Sequence, residues 1–146
     1  MNKFLTALTL TLAVLVLGSP AIAEAKKIRH RGTLVGVEES RVTLRVTVKK
    51  GKVRKVSAFK AVGVQTRCDK GLFGSTFQAL NPTKVTRKGN FKEVLKNPDG
   101  AKLTISGTVR KRGKRVRGFV KSNRFDGGEA TGTCKAPRAK FKTSKA

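Results

Sequence analysis

Few residues in this sequence could carry acid–base or nucleophilic chemistry. His30 is the only histidine, and it lies in the basic run 26–31 close to the expected mature N-terminus. Hydrolysis of a phosphodiester by an acid and a base usually needs two positioned histidines, or a histidine with a carboxylate. Serine and cysteine nucleophiles depend on the same kind of base. We therefore expect His30 to be one more polar residue of a frayed N-terminal segment, not a catalytic base.

Carboxylates are the other candidates, because a pair of them can cleave a glycosidic bond. The chain has 8 Asp and Glu residues, and most of them have a simpler role in predicted turns. Asp99 belongs to a Pro-Asp-Gly turn, whereas Asp126 and Glu129 lie in a glycine-rich loop without an EF-hand pattern. We predict no catalytic residue, no metal site and no cofactor, so the protein is not expected to be an enzyme. A weak hydrolase of an anionic polymer, with Asp126 or Glu129 in its site, is the last-ranked alternative.

Binding chemistry is better motivated, because basic residues concentrate at two glycine-containing turns. A turn glycine lets cations on both flanking strands surround a polyanion, and arginine can hold an oxyanion with two parallel hydrogen bonds. The predicted polyanion-binding residues are Lys49, Lys50, Lys52, Arg54 and Lys55 at the first turn, and Arg110, Lys111, Arg112, Lys114, Arg115 and Arg117 at the second.

The charge of the whole chain points to the same class of partner. With 34 Lys and Arg against 8 Asp and Glu, the formal net charge is +26. Such a protein is attracted to any polyanion, including wall polymers, acidic glycans, nucleic acids and anionic surfaces. The chain has no Trp and no Tyr, so aromatic platforms for neutral sugars or unstacked bases are scarce. The alternative is a structural or interaction domain whose charge only solvates it and protects its exposed strand edges. Oligomeric state is left open.

The elements that must position these turns are β-strands. Val42 to Val48 alternates apolar and polar residues with a period of two, which is typical of a half-buried strand. Residues 53–59 return as a second strand, where the adjacent Arg54 and Lys55 indicate a bulge. Residues 33–37, 61–68, 75–80, 84–87, 103–109, 116–121 and 139–142 are further predicted strands, while 91–96 could form a short helix. We predict one all-β domain, an antiparallel sandwich or closed barrel of about eight to ten short strands.

The two cysteines, Cys68 and Cys134, are predicted to form a single disulfide. Export into an oxidising compartment favours a bridge, and a metal site would need more ligands at short spacing. The order of features from Gly32 to Cys68 is echoed from Gly89 to Cys134, which suggests two repeated halves tied together by the bridge. The unequal spacing of the two segments leaves the repeat an open hypothesis.

The N-terminus predicts export. Lys3 precedes an apolar run at 4–17, and Ala21-Ile22-Ala23 then provides a small-x-small cleavage site before Glu24. The run is shorter than the roughly 20 residues that span a bilayer, which disfavours an uncleaved anchor. We expect a signal peptide at 1–23 and one mature domain at 24–146, secreted or associated with the cell envelope. Ala23-Glu24-Ala25 is an overlapping alternative that would move the cut by two residues.

A longer pattern runs through residues 32–143. It consists of Gly32-Thr33-Leu34, an alternating strand and Cys68, followed by Gly89-Asn90-Phe91, Ile105 to Val109, Arg117-Gly118-Phe119-Val120 and Cys134. In this order of short motifs the chain resembles uncharacterised secreted β proteins common in actinobacteria. The resemblance implies an exported β fold, and it brings no activity, cofactor or catalytic residue with it.

Overall fold

A computed structural model describes residues 23–146, so the predicted signal peptide lies outside the described residues except for Ala23. The described chain is all-β, with a single turn of 3-10 helix at Lys111–Gly113. The strands are β1 (Lys26–Leu34), β2 (Val37–Lys49), β3 (Lys52–Cys68), β4 (Gly71–Ala79), β5 (Thr83–Lys84), β6 (Asn90–Lys96), β7 (Lys102–Arg110), β8 (Arg115–Asp126) and β9 (Thr133–Lys145).

All the strand pairings are antiparallel, in the order β4-β3-β2-β1-β9-β8-β7-β6. An additional pairing of β3 with β9 closes β1, β2, β3 and β9 into a small barrel. The short β5 pairs with β3, and Thr86 just beyond it exchanges hydrogen bonds with Asn90 at the start of β6. The segment 83–90 therefore links β3 to β6. The predicted all-β fold with a closed barrel is confirmed.

Apolar residues at alternate positions of these strands fill one core. Val42, Leu44 and Val46 on β2 are at most 2% exposed, as are Val116 and Val120 on β8. The rings of Phe59 on β3 and Phe141 on β9 lie 5.4 Å apart across this core. The intervening residues of each strand face outward, and most of them are Lys, Arg or Thr. Alternation therefore places the basic residues on the outside of the barrel.

Because neighbouring strands run in opposite directions, the turns gather at two ends. The tip end, as we call it, carries the turns at 50–51, 80–89 and 111–114 together with the start of β1 and the end of β9. The disulfide end carries the turns at 35–36, 69–70, 97–101 and 127–132. Cys68 and Cys134 are direct cross-strand partners there, and the predicted bridge between them is present. Cys68 is the last residue of β3, whereas Cys134 is the second residue of β9.

Several predictions about individual elements were wrong. The predicted strand at 33–37 is interrupted by the turn at 35–36, and the predicted strand at 84–87 continues only to Lys84. Residues 91–96 are strand β6 and not a helix, because Phe91, Glu93 and Leu95 alternate in burial with exposed residues while pairing with β7. Residues 53–59 and 61–68 belong to one long strand, β3, which bends at irregularities in its pairing with β2. Residues 26–31 are not frayed, because they form most of β1 and pair with β2 from Lys26 onward.

Candidate functional site

The first basic turn is a two-residue hairpin loop at the tip end. Lys49 and Lys52 are the last paired residues, and the loop residues Lys50 and Gly51 have φ angles of 51° and 69°. Positive φ at both loop residues is the geometry of a type I′ turn, which matches the twist of the flanking strands. Asn and Gly are the residues favoured at such positions. Lys50 places a cation there instead, with its side chain exposed.

The second basic turn is the 3-10 segment between β7 and β8. Lys111 and Arg112 have φ angles of 51° and 53°, and Gly113 follows at 90°. The Lys114 N–H donates to the Lys111 carbonyl, and the Lys145 N–H donates to the Lys114 carbonyl. The C-terminal strand therefore supports this turn through its backbone.

Gly113 brings the two turns together. It is buried, and a Cβ added to it would lie 3.0 Å from Val48 and 3.4 Å from Val46, both on the strand that leads into the first turn. The left-handed φ and this close approach together require glycine at the position. The second turn is consequently packed against the base of the first hairpin, so both basic turns occupy the same end of the barrel.

A cleft with a volume of about 710 Å³ opens between the two turns and the segment that follows β5. The charged residues that line it are all basic: Lys52, Arg54, Arg87, Lys88 and Arg112. The sequence predicted Lys52, Arg54 and Arg112 as binding residues. It missed Arg87 and Lys88, whose only signal was a basic pair beside a glycine in a segment without clear alternation.

Arg54 owes its position to a β-bulge, as the sequence predicted. Thr47 pairs with Lys55 and Val48 pairs with Val53, so Arg54 is an extra residue on β3. A bulge turns a side chain away from the direction that regular alternation would give it. Arg54 lines the cleft and also a neighbouring concavity of about 790 Å³.

The other predicted binding residues are divided among different surfaces. Lys49, Lys50 and Lys55 line the neighbouring concavity, and Arg117 lines a third concavity of about 730 Å³ on the outer face of β6 to β9. The remaining four, Arg110, Lys111, Lys114 and Arg115, are exposed at the second turn but line none of these three concavities.

The carboxylates lie mainly at the end of the barrel opposite to the basic turns. None of the charged residues lining the three concavities is acidic. Six of the 8 acidic residues of the chain lie in or beside the turns of the disulfide end. A surface lined by one sign of charge attracts counter-ions without local neutralisation. The acidic residues at the disulfide end are Glu38, Glu39, Asp69, Asp99, Asp126 and Glu129.

His30 is a buried residue that holds the second turn in place. Its side chain is 1% exposed, and its Nε2 lies 2.7 Å from the Gly113 carbonyl oxygen. Because a carbonyl only accepts, Nε2 carries the proton, and Nδ1 accepts a hydrogen bond from the Thr143 hydroxyl at 3.3 Å. Burial lowers the pKa of His30 below 6.5, and the hydrogen bond to Gly113 partly opposes this shift. Both nitrogens are engaged internally, so neither faces a substrate in solvent.

Asp126 and Asp69 accept backbone hydrogen bonds within or between the turns of the disulfide end. The Asp126 carboxylate accepts the Gly128 N–H at 2.8 Å, and the Asp69 carboxylate accepts the Thr133 N–H at 2.8 Å. Lys70 donates to the backbone carbonyl of Glu129. Residues 23–146 contain no group of three or more His, Cys, Asp or Glu residues able to hold a metal ion. Within the same part of the chain, no helix is long and apolar enough to cross a membrane.

No protein-family model, no curated protein and no solved structure matches the chain. The resemblance to secreted actinobacterial β proteins therefore stays a prediction, and an assignment of function has to come from the geometry of this molecule.

Proposed function

We propose that this protein is a secreted, non-catalytic module that binds anionic polymers or surfaces electrostatically at its tip end. The observation that supports this most directly is the convergence of both basic turns on one cleft. Five cations and no carboxylate line that cleft, although the turns are about 60 residues apart in sequence. Polymers of this kind include wall polymers, acidic glycans and nucleic acids.

Backbone geometry at the turns supports the same proposal. Lys50, Lys111 and Arg112 are three of the four non-glycine residues with positive φ in the described chain. A side chain in this region costs about 1–2 kcal/mol relative to glycine. Strained residues of this kind tend to cluster at functional sites, where something other than stability selects them. Cations placed where Gly or Asn would fold more easily are therefore an argument for a binding role.

The second candidate is a structural or interaction domain whose charge only keeps it solvated. Cations that lie away from the cleft favour it, such as the cross-strand pair Lys96 and Lys102 near the disulfide end. Charges on exposed strands also prevent edge-to-edge aggregation. The two candidates differ in whether the position of a cation matters or only the number of cations.

A matched pair of fourfold variants separates them. The cleft variant carries Lys52→Ser, Arg87→Ser, Lys88→Ser and Arg112→Asn, with Asn chosen for the left-handed φ at 112. The control carries Arg67→Ser, Lys96→Ser, Lys102→Ser and Arg124→Ser, an equal loss of two lysines and two arginines from exposed positions near the disulfide end. Both variants have the same net charge.

The measurement is the affinity for a long polyphosphate chain as a function of salt. Each contact with a flexible polyanion contributes about 0.7 to the slope of log K against log salt, so five contacts reduce affinity at least about 100-fold between 50 and 200 mM. We expect the salt slope of the cleft variant to be smaller than that of the parent protein by about 2.8, and the slope of the control to be almost unchanged. Equal weakening of the two variants would favour the diffuse surface, and a flat salt response in the parent protein would exclude electrostatic binding altogether.

Secretion is part of the proposal, and its support is the apolar segment before Ala23 together with the oxidised Cys68–Cys134 pair. Strand β1 starts at Lys26, so a cut on either side of the Glu24-Ala25 dipeptide leaves the folded domain intact. Mass spectrometry of the protein recovered from the medium should find Glu24 as its first residue. An intact Met1 on exported protein would contradict cleavage.

A further inference from the structure

We propose that the partner is a linear polymer with an oxyanion on each repeat, and that it lies along a track of three adjoining concavities. This inference rests on the proposed function and adds the form of its ligand. The cleft between the turns is the middle of the track. The concavity beside the first hairpin and the one on the outer face of β6 to β9 are its two arms.

Two residues join the concavities. Arg54, the bulged residue of β3, lines both the cleft and the arm beside the first hairpin. Thr86, which connects β5 to β6, lines both the cleft and the outer-face arm. Each arm therefore adjoins the cleft at one shared residue.

The arm beside the first hairpin follows a row of side chains across neighbouring strands. Lys27 on β1 pairs with Thr47 on β2, and Thr47 pairs with Lys55 on β3. At a strand spacing of about 4.8 Å, these two steps cover about 10 Å. Lys55 pairs in turn with Lys84 on β5, which lines the outer-face arm. Arg45, Lys49 and Lys50 add further cations to the same concavity.

The outer-face arm is a flat part of the sheet with cations around it. Lys92 on β6 pairs with Ser106 on β7, Ser106 with Phe119 on β8, and Phe119 with Lys140 on β9. Arg138 is stacked on Phe119, with its guanidinium carbon 3.8 Å from the ring centroid. Stacking fixes the plane of the guanidinium, which favours bidentate contact with an oxyanion. This row covers about 14 Å, so the two rows together cover about 24 Å.

The lining of the track indicates which groups of a ligand it can recognise. Its charged members are all Lys or Arg, whereas the hydroxyl groups of Ser106 and Thr108 already donate to the Phe91 carbonyl and to the Asn90 side chain. The one aromatic ring on this outer face, Phe119, is already covered by Arg138. Stacking on sugar rings or bases therefore has no platform, whereas repeated oxyanions find a donor along the whole path.

Chain length is the variable that tests the track. Tripolyphosphate can occupy one concavity, whereas a chain of about 60 phosphates can enter all three, and linked contacts raise affinity by about 10² to 10⁴. Isothermal titration at constant salt should therefore show affinity per phosphate rising at least about 100-fold between these lengths. A parallel series of heparin oligosaccharides tests whether sulfate serves as well as phosphate. A length dependence with either polymer supports the track, and its absence with both overturns it.

A matched pair of variants locates the outer-face arm. Lys92→Ser with Lys140→Ser removes two of its cations, whereas Lys96→Ser with Lys102→Ser removes two from the disulfide end of β6 and β7, and all four residues are exposed. For the long chain, the first pair should reduce the salt slope by about 1.4 and the second should leave it unchanged. For tripolyphosphate, neither pair of substitutions should change the salt slope much.

The possible outcomes separate this inference from the proposed function. If the long chain binds in a salt-dependent way but neither double variant changes its binding, the track is wrong and the cleft alone carries binding. If both double variants weaken binding equally, the track is also wrong and the diffuse surface is favoured. If neither polyphosphate nor heparin binds at any length, the proposed function itself fails. Urea unfolding of each variant, compared with the parent protein, checks that loss of binding is not loss of folding.

Discussion

Lowering the pH from 7.5 to 5.5 should destabilise the protein through His30. Its folded-state pKa lies below the ordinary value of 6.5, because burial penalises the imidazolium form. The unfolded chain therefore binds a proton first as the pH falls, and the folded state loses stability between 6.5 and the lowered pKa. Above 6.5 both states are neutral, so this contribution is fully present at pH 7.5.

The size of this loss of stability follows from the linkage between proton binding and folding. If His30 stays neutral in the folded state throughout the interval, the free energy of unfolding falls by at most about 1.4 kcal/mol between pH 7.5 and 5.5. Several cations lie on the elements packed around His30, and each of them disfavours an imidazolium. Arg29 and Arg31 flank it on β1, Lys145 pairs with it on β9, and Lys114 follows the turn that it holds.

Urea unfolding of the oxidised protein at constant ionic strength measures this change directly. His30→Gln is the matched variant, because its side chain can still donate to the Gly113 carbonyl but cannot titrate. We expect the parent protein to lose stability over the interval, while the variant stays level. The same pH dependence in both proteins, or none in the parent, would refute the assignment to His30.

Three further predictions concern the strained turn, the sheet and the bridge. Lys50→Asn should raise the free energy of unfolding by about 1 kcal/mol, because Asn tolerates the φ of 51° at this position, and it should also weaken polyphosphate binding. Urea unfolding measures the first effect and titration the second, and a loss of stability would contradict the reasoning. Gly118→Ala should destabilise the fold by several times RT, because the new Cβ would overlap the Ser106 backbone oxygen and lie 2.8 Å from the Phe141 ring. A melting temperature equal to that of the parent would show that the sheet can adjust. Replacing both Cys68 and Cys134 by Ser should lower the free energy of unfolding by about 4 kcal/mol, because the bridge closes a loop of 66 residues in the unfolded chain. Urea unfolding measures this loss, and a loss below about 1 kcal/mol would mean that the β3–β9 pairing closes the barrel without the bridge.

Much of the fold is predictable from the sequence because period-two alternation and turn glycines are local signals. The first hairpin, the bulge at Arg54 and the bridge between Cys68 and Cys134 were all predicted and are present. The bulge is readable because two adjacent cations cannot both face solvent on a regular strand. In each case the residues that carry the signal lie within a few positions of one another, or there is only one possible pairing.

What the sequence concealed depends on contacts between distant segments. His30 looked like part of a basic tail, because burial of a lone histidine depends on Gly113 and Thr143, more than 80 residues away. Arg87 and Lys88 line the cleft only because β5 crosses back to pair with β3. Strand 91–96 has too few residues for its alternation to exclude a helix without knowledge of its partner β7.

Several positions at which this chain departs from local folding rules lie at the tip end, and two of them, Arg54 and Arg112, line the cleft. Lys50 and Arg112 occupy left-handed positions that suit Asn or Gly, and Arg54 interrupts the pairing of β2 with β3. A sequence selected only for solubility could place its cations on regular outward-facing positions, where they would cost no strain. Residues that do not suit the local backbone conformation are expected at functional sites, where selection for function outweighs selection for stability. Strain shared by both turns therefore argues for a binding site over a merely solvated edge, and Lys50→Asn tests this because it should raise stability while weakening binding.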